Sequence, residues 1–401
     1  MENFEFYRPT RYIFGIDTEK KVGEVVSGYG YKKVMLVYGG GSVVRSGLLE
    51  RVEKSLSQSG IGYVKLGGVK PNPRADLVYE GIELGRREQV DFLLPVGGGS
   101  VIDTAKAIAL GIPFEGDFFD IYQGKAKPKT ALKTGVVLTI PAAGSEGSNS
   151  TVIQKEVDGK VLKLGCGSDF NVPLFAIMNP VLTYSLPVYQ IACGVTDMMA
   201  HIMERYFTNT RGVSVTDRFC EGLLCSIIDS AIIAVRDPEN YDARANLMWA
   251  GTMAHNNICG VGREQDWATH HLEHQLSALY DCAHGAGLAV MFPAWMEYNL
   301  NHDVMRFAQF ANRVFGCDMN FSDPKETALQ GIRNLRSFLH DIGMPLSFAD
   351  IGASENDIPK LLNLLGVDEG EHTEGHFVVL RRSDCEKIYR IAAKFDSSTV
   401  Y

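Results

Sequence analysis

Over roughly its first 180 residues the chain alternates short, continuously apolar runs with stretches of helical periodicity. Val34–Tyr38 (VMLVY), Asp91–Val96 and Gly135–Ile140 are brief and rich in branched or large apolar residues, the pattern of strands buried on both faces. Leu48, Leu49, Val52 and Leu56 follow the first run at helical spacing, and helices are expected over Ala75–Gln89 and Val101–Leu110. Asp158-Gly159 falls between two alternating runs and predicts a tight hairpin. Strands alternating with helices imply a Rossmann-like, mostly parallel sheet with helices on both faces.

After Asn179-Pro180 the period changes. From about Val188 onward apolar residues recur every three or four positions, as in Phe219–Val235, Ala243–Asn256 and Phe307–Val314, and strand-like runs are few. The expected organisation is an α/β domain over 1–180 and an all-helical domain over 181–401. A chain of 401 residues is long enough for two cores.

Charge narrows the partners. A net charge of −9 with no basic tract argues against nucleic acid. No apolar run is long enough to cross a bilayer, and the N-terminal MENFEFYRPTRYIFG lacks the basic and apolar regions of a signal peptide. The eight cysteines are scattered and form no CxxC, which fits reduced thiols in the cytoplasm.

Two strand-to-helix junctions read GGGS, at Gly39–Ser42 and Gly97–Ser100, and a third loop reads PAAGSE over 141–146. Such turns bring bare backbone N–H groups to a helix N-terminus, where a phosphate is favoured. GxGxxG is not met, because Ile102 stands where its last glycine would fall. One GGGS alone is a tight turn; two at equivalent places suggest a nucleotide lying across the carboxyl edge of a parallel sheet. No carboxylate follows Val34–Tyr38, only Gly39, Gly40, Gly41 and Ser42, then Arg45, so nothing there repels a 2′-phosphate. NADP(H) is therefore expected over NAD(H), with Gly39, Gly40 and Ser42 at the ribose and Arg45 pointing to solvent.

The stretch THHLEHQLSALYDCAHG, residues 269–285, holds four of the ten histidines. His270 and His274 share a helix face at i, i+4, while His271 points elsewhere, bonded to a carbonyl. Tyr280, Asp281 and Gly285 predict that the helix ends before His284, whose ring swings back from a turn. Upstream, Asp197 and His201 are again four apart. Asp197, His201, His270 and His284 would give three nitrogens and one oxygen, a set suited to Fe2+ or Zn2+. On spacing alone, a capping carboxylate and hydrogen-bonded core imidazoles explain them about as well.

Taken in order, FYRPTRYIFG near the start, PNPR at 71–74, GGGSVIDTAK at 97–106, TIPAAGSE at 139–146, GVTDMMAHIME at 194–204 and WATHHLEHQLSALYDCAHG at 267–285 resemble the iron-containing alcohol dehydrogenase family, dehydroquinate synthase-like in fold. The resemblance covers essentially the whole chain and is nearest to the NADPH-dependent butanol dehydrogenase or broad-range aldehyde reductase subgroup. It implies Asp197, His201, His270 and His284 as metal ligands, with His274 near the metal and the nicotinamide as a catalytic proton relay or a support for the ligand histidines. It implies cofactor contacts from Asn72, Gly98, Gly99, Ser100, Asp103, Thr139, Ser145 and Lys163. In one respect the chain departs: the family often reads TTxGTGSE, so the hydroxyls usual at 142 and 143 are replaced by Ala142 and Ala143.

These signals predict a cytoplasmic, metal-dependent oxidoreductase that interconverts primary alcohols and aldehydes with NADP(H). Its expected partners are a small aldehyde or alcohol and a second copy of itself in a homo-oligomer (dimer), with no nucleic acid and no membrane. A metal-dependent lyase on the same fold and a nucleotide sensor with a structural metal are the alternatives.

Overall fold

The computed structural model describes residues 1–400. Their contacts divide into two compact units. One comprises Tyr7–Leu186 with Gly251–Asn256; the other comprises Met1–Phe6, Pro187–Ala250 and the chain from Asn257 on.

The first unit is built on a six-stranded sheet of β1 (Arg11–Phe14), β2 (Lys33–Gly39), β3 (Gly62–Val69), β4 (Phe92–Gly97), β5 (Lys133–Leu138) and β8 (Phe175–Met178). A separate antiparallel pair, β6 (Ser150–Val157) and β7 (Lys160–Gly167), turns at Asp158 and Gly159, both at positive φ as a two-residue hairpin loop requires. All pairings in the large sheet are parallel, in the order β1-β8-β5-β4-β2-β3. Helices α1 (Val22–Gly28), α2 (Ser42–Arg45), α3 (Leu48–Gln58), α4 (Ala75–Arg87), α5 (Gly99–Gly111) and α6 (Phe119–Tyr122) belong to the same unit.

Alternate residues of β2 face opposite cores. Met35 and Val37 pack with Val78 and Ile82 of α4 and Ala105 and Ile108 of α5. Val34 and Leu36 pack with Val22 and Val26 of α1 and Val52 and Leu56 of α3. With both faces covered, β2 and β4 must be apolar at nearly every position, which is why they read as unbroken runs. From β2 the chain moves one way to β3, and from β4 it moves the other way to β5. The turns after β2 and β4 therefore flank the point where strand order reverses, where open α/β sheets have their crevice.

The second unit holds α7 (Val188–Tyr206), α8 (Ser214–Arg236), most of α9 (Tyr241–His255), α10 (Ala268–Tyr280), α11 (His284–Asn299), α12 (Val304–Phe315), α13 (Pro324–Asp341), α14 (Ile358–Leu365) and α15 (Arg382–Lys394). No described helix is long and apolar enough to cross a membrane.

Several sequence expectations need correction. The chain after Gly39–Ser42 does not run into one helix: α2 is a four-residue turn, and α3 restarts after Gly47 at positive φ. The helix expected over Val101–Leu110 begins earlier, inside the second GGGS at Gly99. The one expected over Ala75–Gln89 stops at Arg87, with Gln89 left-handed. Strands β1, β3 and β8 were not foreseen; β3 (GYVKLGGV) carries three glycines and a lysine, and β1 and β8 are only four residues long. His284 does not swing back from a turn but opens α11, three residues after the left-handed Asp281 that ends α10.

Candidate active site

In the helical unit, Asp197, His201 and Glu204 lie on α7 at i, i+4 and i+7, and so share one face. Neighbouring α10 carries His270, Glu273 and His274, and α11 begins with His284. The start of α11 comes close to α7 only because residue 285 is glycine: a Cβ there would lie 2.1 Å from the Cys193 carbonyl oxygen. This places His284 Nε2 3.6 Å from Asp197 Oδ1; His201 Nε2 lies 3.6 Å from the same oxygen and His270 Nε2 3.8 Å. The His201 and His270 rings stack with centroids 4.9 Å apart.

Two further carboxylates fix the rings from behind. Glu204 Oε1 lies 2.8 Å from His270 Nδ1 and also accepts from the His270 backbone N–H at 2.9 Å. Its other oxygen accepts from the Trp267 N–H at 2.9 Å. Glu204 thus caps the N-terminus of α10 from another helix while orienting the imidazole. Glu273, wholly buried, holds His284 Nδ1 and accepts from Ser277 Oγ. With Nδ1 engaged in this way, the Nε2 lone pair of His270 and of His284 is free for a cation.

The residues fit a divalent cation. Asp197 Oδ1 and His270 Nε2 are buried and have no hydrogen-bond partner among the described residues. Ligand bonds of about 2.0–2.2 Å set neighbouring donors of a tetrahedron roughly 3.4 Å apart, close to the observed separations. Three carboxylates gather here, and without a cation the imidazole answers them. Burial alone would lower the His270 pKa, but Asp197 and Glu204 outweigh it and raise it to about 9. The Asp197, His201 and His270 side chains are almost wholly buried, whereas that of His284 is 26% exposed, so one flank stays open to a substrate. His274 stands on that flank, 5.5 Å from His284 and 6.5 Å from His270 between ring centroids. His271 faces away as expected, but its Nδ1 meets the Glu374 carboxylate at 2.6 Å rather than a carbonyl.

In the sheet unit, Gly39, Gly40 and Ser42 end β2 on one side of the reversal, and Gly98, Gly99 and Ser100 end β4 on the other. The loop after β5 presses on the second turn. A Cβ on Gly98 would fall 2.8 Å from Ile140 Cβ, and one on Gly99 2.9 Å from Ala143 Cβ. Thr139 at the loop's start donates its backbone N–H to Gly97 O at 3.0 Å. Only α5 offers a long helix N-terminus beside these turns, since α2 has four residues and α5 thirteen. Asn72, itself at positive φ, meets Lys163 of β7: Lys163 Nζ donates to Asn72 Oδ1 at 3.1 Å. Asp103 is turned inward, accepting from Ser145 Oγ at 2.6 Å and from the Val152 N–H at 2.9 Å.

Sequence reasoning missed five residues of these two regions. Glu204 and Glu273 carried a signal, a carboxylate three residues after a candidate ligand histidine on the same helix. Lys106, Glu146 and Thr252 carried none. Lys106 lies among apolar positions, and Thr252, from the distant last turn of α9, donates to the buried Glu146 carboxylate, whose pKa burial raises. His255, which shows no pattern in the sequence, places its Nε2 2.9 Å from Ser150 Oγ.

Comparison with known proteins agrees with this architecture. The family model for iron-containing alcohol dehydrogenase matches residues 9–180, and that for the C-terminal part of the Fe-containing alcohol dehydrogenase family matches 191–393. A Bacillus subtilis protein named probable NADH-dependent butanol dehydrogenase 1 is 39% identical over 390 residues, 97% of this chain and 99% of the relative. The Escherichia coli NADPH-dependent aldehyde reductase YqhD is 38% identical over 91% of this chain and 93% of its own. The crystal structure of NADH-dependent butanol dehydrogenase A from Thermotoga maritima superposes with a TM-score of 0.94 at 39% identity, covering 98% of this chain and 99% of that one. On motif order, fold and full-length similarity, the chain belongs to the iron-containing alcohol dehydrogenase family.

Proposed function

We propose that this protein is a metal-dependent NAD(P) oxidoreductase that interconverts primary alcohols and aldehydes, with NADP(H) as its preferred cofactor. The observation that carries the reading is the convergence of three imidazole nitrogens on Asp197 Oδ1 with one flank open, in a chain whose relatives are named for alcohol and aldehyde chemistry. A divalent cation held by Asp197, His201, His270 and His284 would supply Lewis acidity toward an alkoxide or carbonyl oxygen. A bound nicotinamide would supply or accept the hydride.

The chain's own residues do the rest. Glu204 and Glu273 keep His270 and His284 in the tautomer that presents Nε2. His274, with a ring nitrogen on the open flank, gives a proton to the product oxygen in reduction and takes it back in oxidation. The amides of Gly98, Gly99 and Ser100 bind pyrophosphate at the start of α5, while Thr139, Ser145 and the Asn72–Lys163 pair border the cofactor. Gly39, Gly40 and Ser42 take the adenosine ribose and its 2′-phosphate, which no carboxylate at the end of β2 repels.

The test is NADPH consumption by the metal-loaded protein across a panel of straight-chain aldehydes. Aldehyde-dependent oxidation is expected, and its absence for every member would sink the assignment. Relatives are named for both NADH and NADPH, so cofactor choice needs its own measurement. A hydrogen bond to a charged group favours binding by about 10- to 100-fold, so NADPH should exceed NADH at least about tenfold in kcat/KM. Ser42→Asp should narrow or reverse that ratio. Equal use of both cofactors by the wild type would overturn the NADP(H) preference alone.

A further inference from the structure

Lys106 is a fully buried amine in the sheet unit that the reading above does not use. It lies on α5, seven residues after the helix starts at Gly99, and its side chain is fully buried. Its Nζ donates to the carbonyl oxygens of Ser145 at 2.6 Å, Ser148 at 3.0 Å and Ser150 at 3.0 Å, and to Ser145 Oγ at 2.9 Å. All four acceptors lie between Ser145 and Ser150, the continuation of the 139–146 segment that covers the second glycine turn, ending at the first residue of β6.

Burying an ammonium is expensive, and the burial pushes the Lys106 pKa down to about 8 although Asp103 and Glu146 oppose it. A methionine or leucine would fill the same space more cheaply if packing were the only need. What lysine adds is three N–H donors directed from one point at the carbonyls of Ser145, Ser148 and Ser150. The same hub reaches Asp103, because Ser145 Oγ accepts from Lys106 and donates to Asp103 Oδ1. From another side the loop is held by the last turn of α9, where Thr252 bonds Glu146 and His255 meets Ser150.

We infer that Lys106 is a positioning residue for the dinucleotide, fixing the 145–150 loop relative to the N-terminus of α5 so that amides and loop present one preformed cofactor surface. The inference rests on the cofactor site proposed above. One helix would then do two things: offer backbone N–H groups to pyrophosphate at its first turn and clamp the opposing wall two turns later. A loop already fixed loses little freedom when the cofactor binds, so its effect is read in affinity rather than in the chemical step.

The test uses Lys106→Met in the metal-loaded, full-length protein, with NADPH affinity followed by cofactor fluorescence. Leaving buried carbonyls without donors should raise the Kd for NADPH about 10- to 100-fold. Metal content and kcat at saturating cofactor should stay within about 3-fold of wild type, since no ligand or reacting group is touched. Hydrogen exchange of residues 145–150 in the cofactor-free variant should quicken, a local change that a general loss of stability would not confine to this loop. If Lys106→Met does not fold, Lys106→Gln, which keeps two donors, should show a smaller rise in Kd. A folded variant with wild-type Kd would overturn the role of Lys106, and so would equal losses in metal content and kcat. Failure of the wild type to bind NADPH at all would overturn the cofactor reading itself, a different result from wild-type binding that Lys106 variants leave unchanged.

Discussion

The candidate ligand cluster of the helical unit and the glycine turns of the sheet unit are made of opposite materials. The first concentrates charge: three imidazoles and three carboxylates within one buried pocket, each side chain held by another. The second removes side chains, so that backbone can approach a ligand, and leaves its one buried cation, Lys106, to hold a loop. A charge-rich site needs an ion to be stable as built; a backbone site needs only rigidity. Losses in one should therefore be read in metal and turnover, and losses in the other in cofactor affinity.

The largest test of that division is His270→Ala or His284→Ala. Either should remove both bound metal and activity, because the remaining groups cannot complete the shell. NADPH affinity, by fluorescence, should survive. A variant that keeps metal and turnover would refute the ligand set, and one that loses NADPH binding as well would break the division between the regions. His274→Ala comes next: metal should remain while kcat falls about 10²-fold, the lower range for acid–base help. Metal loss there would place His274 among the ligands, and an unchanged kcat would make it structural. Glu273→Gln should weaken metal affinity about 10- to 100-fold by loosening His284, measured by competition with a chelator; an unchanged affinity would mean that the ring is fixed without the charge.

A smaller effect is electrostatic. Burial, and then the charge of Glu204, push the Asp266 carboxyl from 3.8 up to about 7. A folded-state pKa above the unfolded value means that the folded chain keeps a proton the unfolded chain releases. The stability from this group is complete below about pH 4 and is lost as pH rises through about 7. Asp266→Asn retains the oxygen that accepts from the His376 and Phe377 N–H groups and drops the charge. The variant's Tm minus that of wild type should therefore increase by a few degrees between about pH 6 and pH 8. A flat difference would show that Asp266 stays charged throughout.

The two regions were not equally legible in the sequence. Asp197 with His201, and His270 with His274, lie four apart, so helical geometry alone put each pair on one face. The i+7 position of Glu204 was there to be read, since α7 places it behind the ligands. Glu273 shows the same three-residue spacing after His270, but its partnership with His284 depends on the α10–α11 contact, where a Cβ on Gly287 would lie 2.6 Å from Glu273 Oε1. In the sheet unit the GGGS turns announced themselves, and β2 and β4 were plain because both faces are covered. β3 was hidden by its glycines and lysine, and β1 and β8 by their length. Lys106 was hidden by its setting: within an apolar helix it reads as an amphipathic exception, and its acceptors lie about forty residues on.

The last turn of α9 has a consequence for how such a chain can be cut and recombined. Gly251–Asn256 is encoded far downstream of Leu186, yet it groups with the sheet unit, where Thr252 bonds Glu146 and His255 meets Ser150. A gene fragment ending at Leu186 would make a sheet without that wall and leave a buried carboxylate missing its hydroxyl. The sheet unit is thus not a cassette that can be lifted out or exchanged between relatives at a single junction. A working chimera would have to bring Gly251–Asn256 along with Tyr7–Leu186.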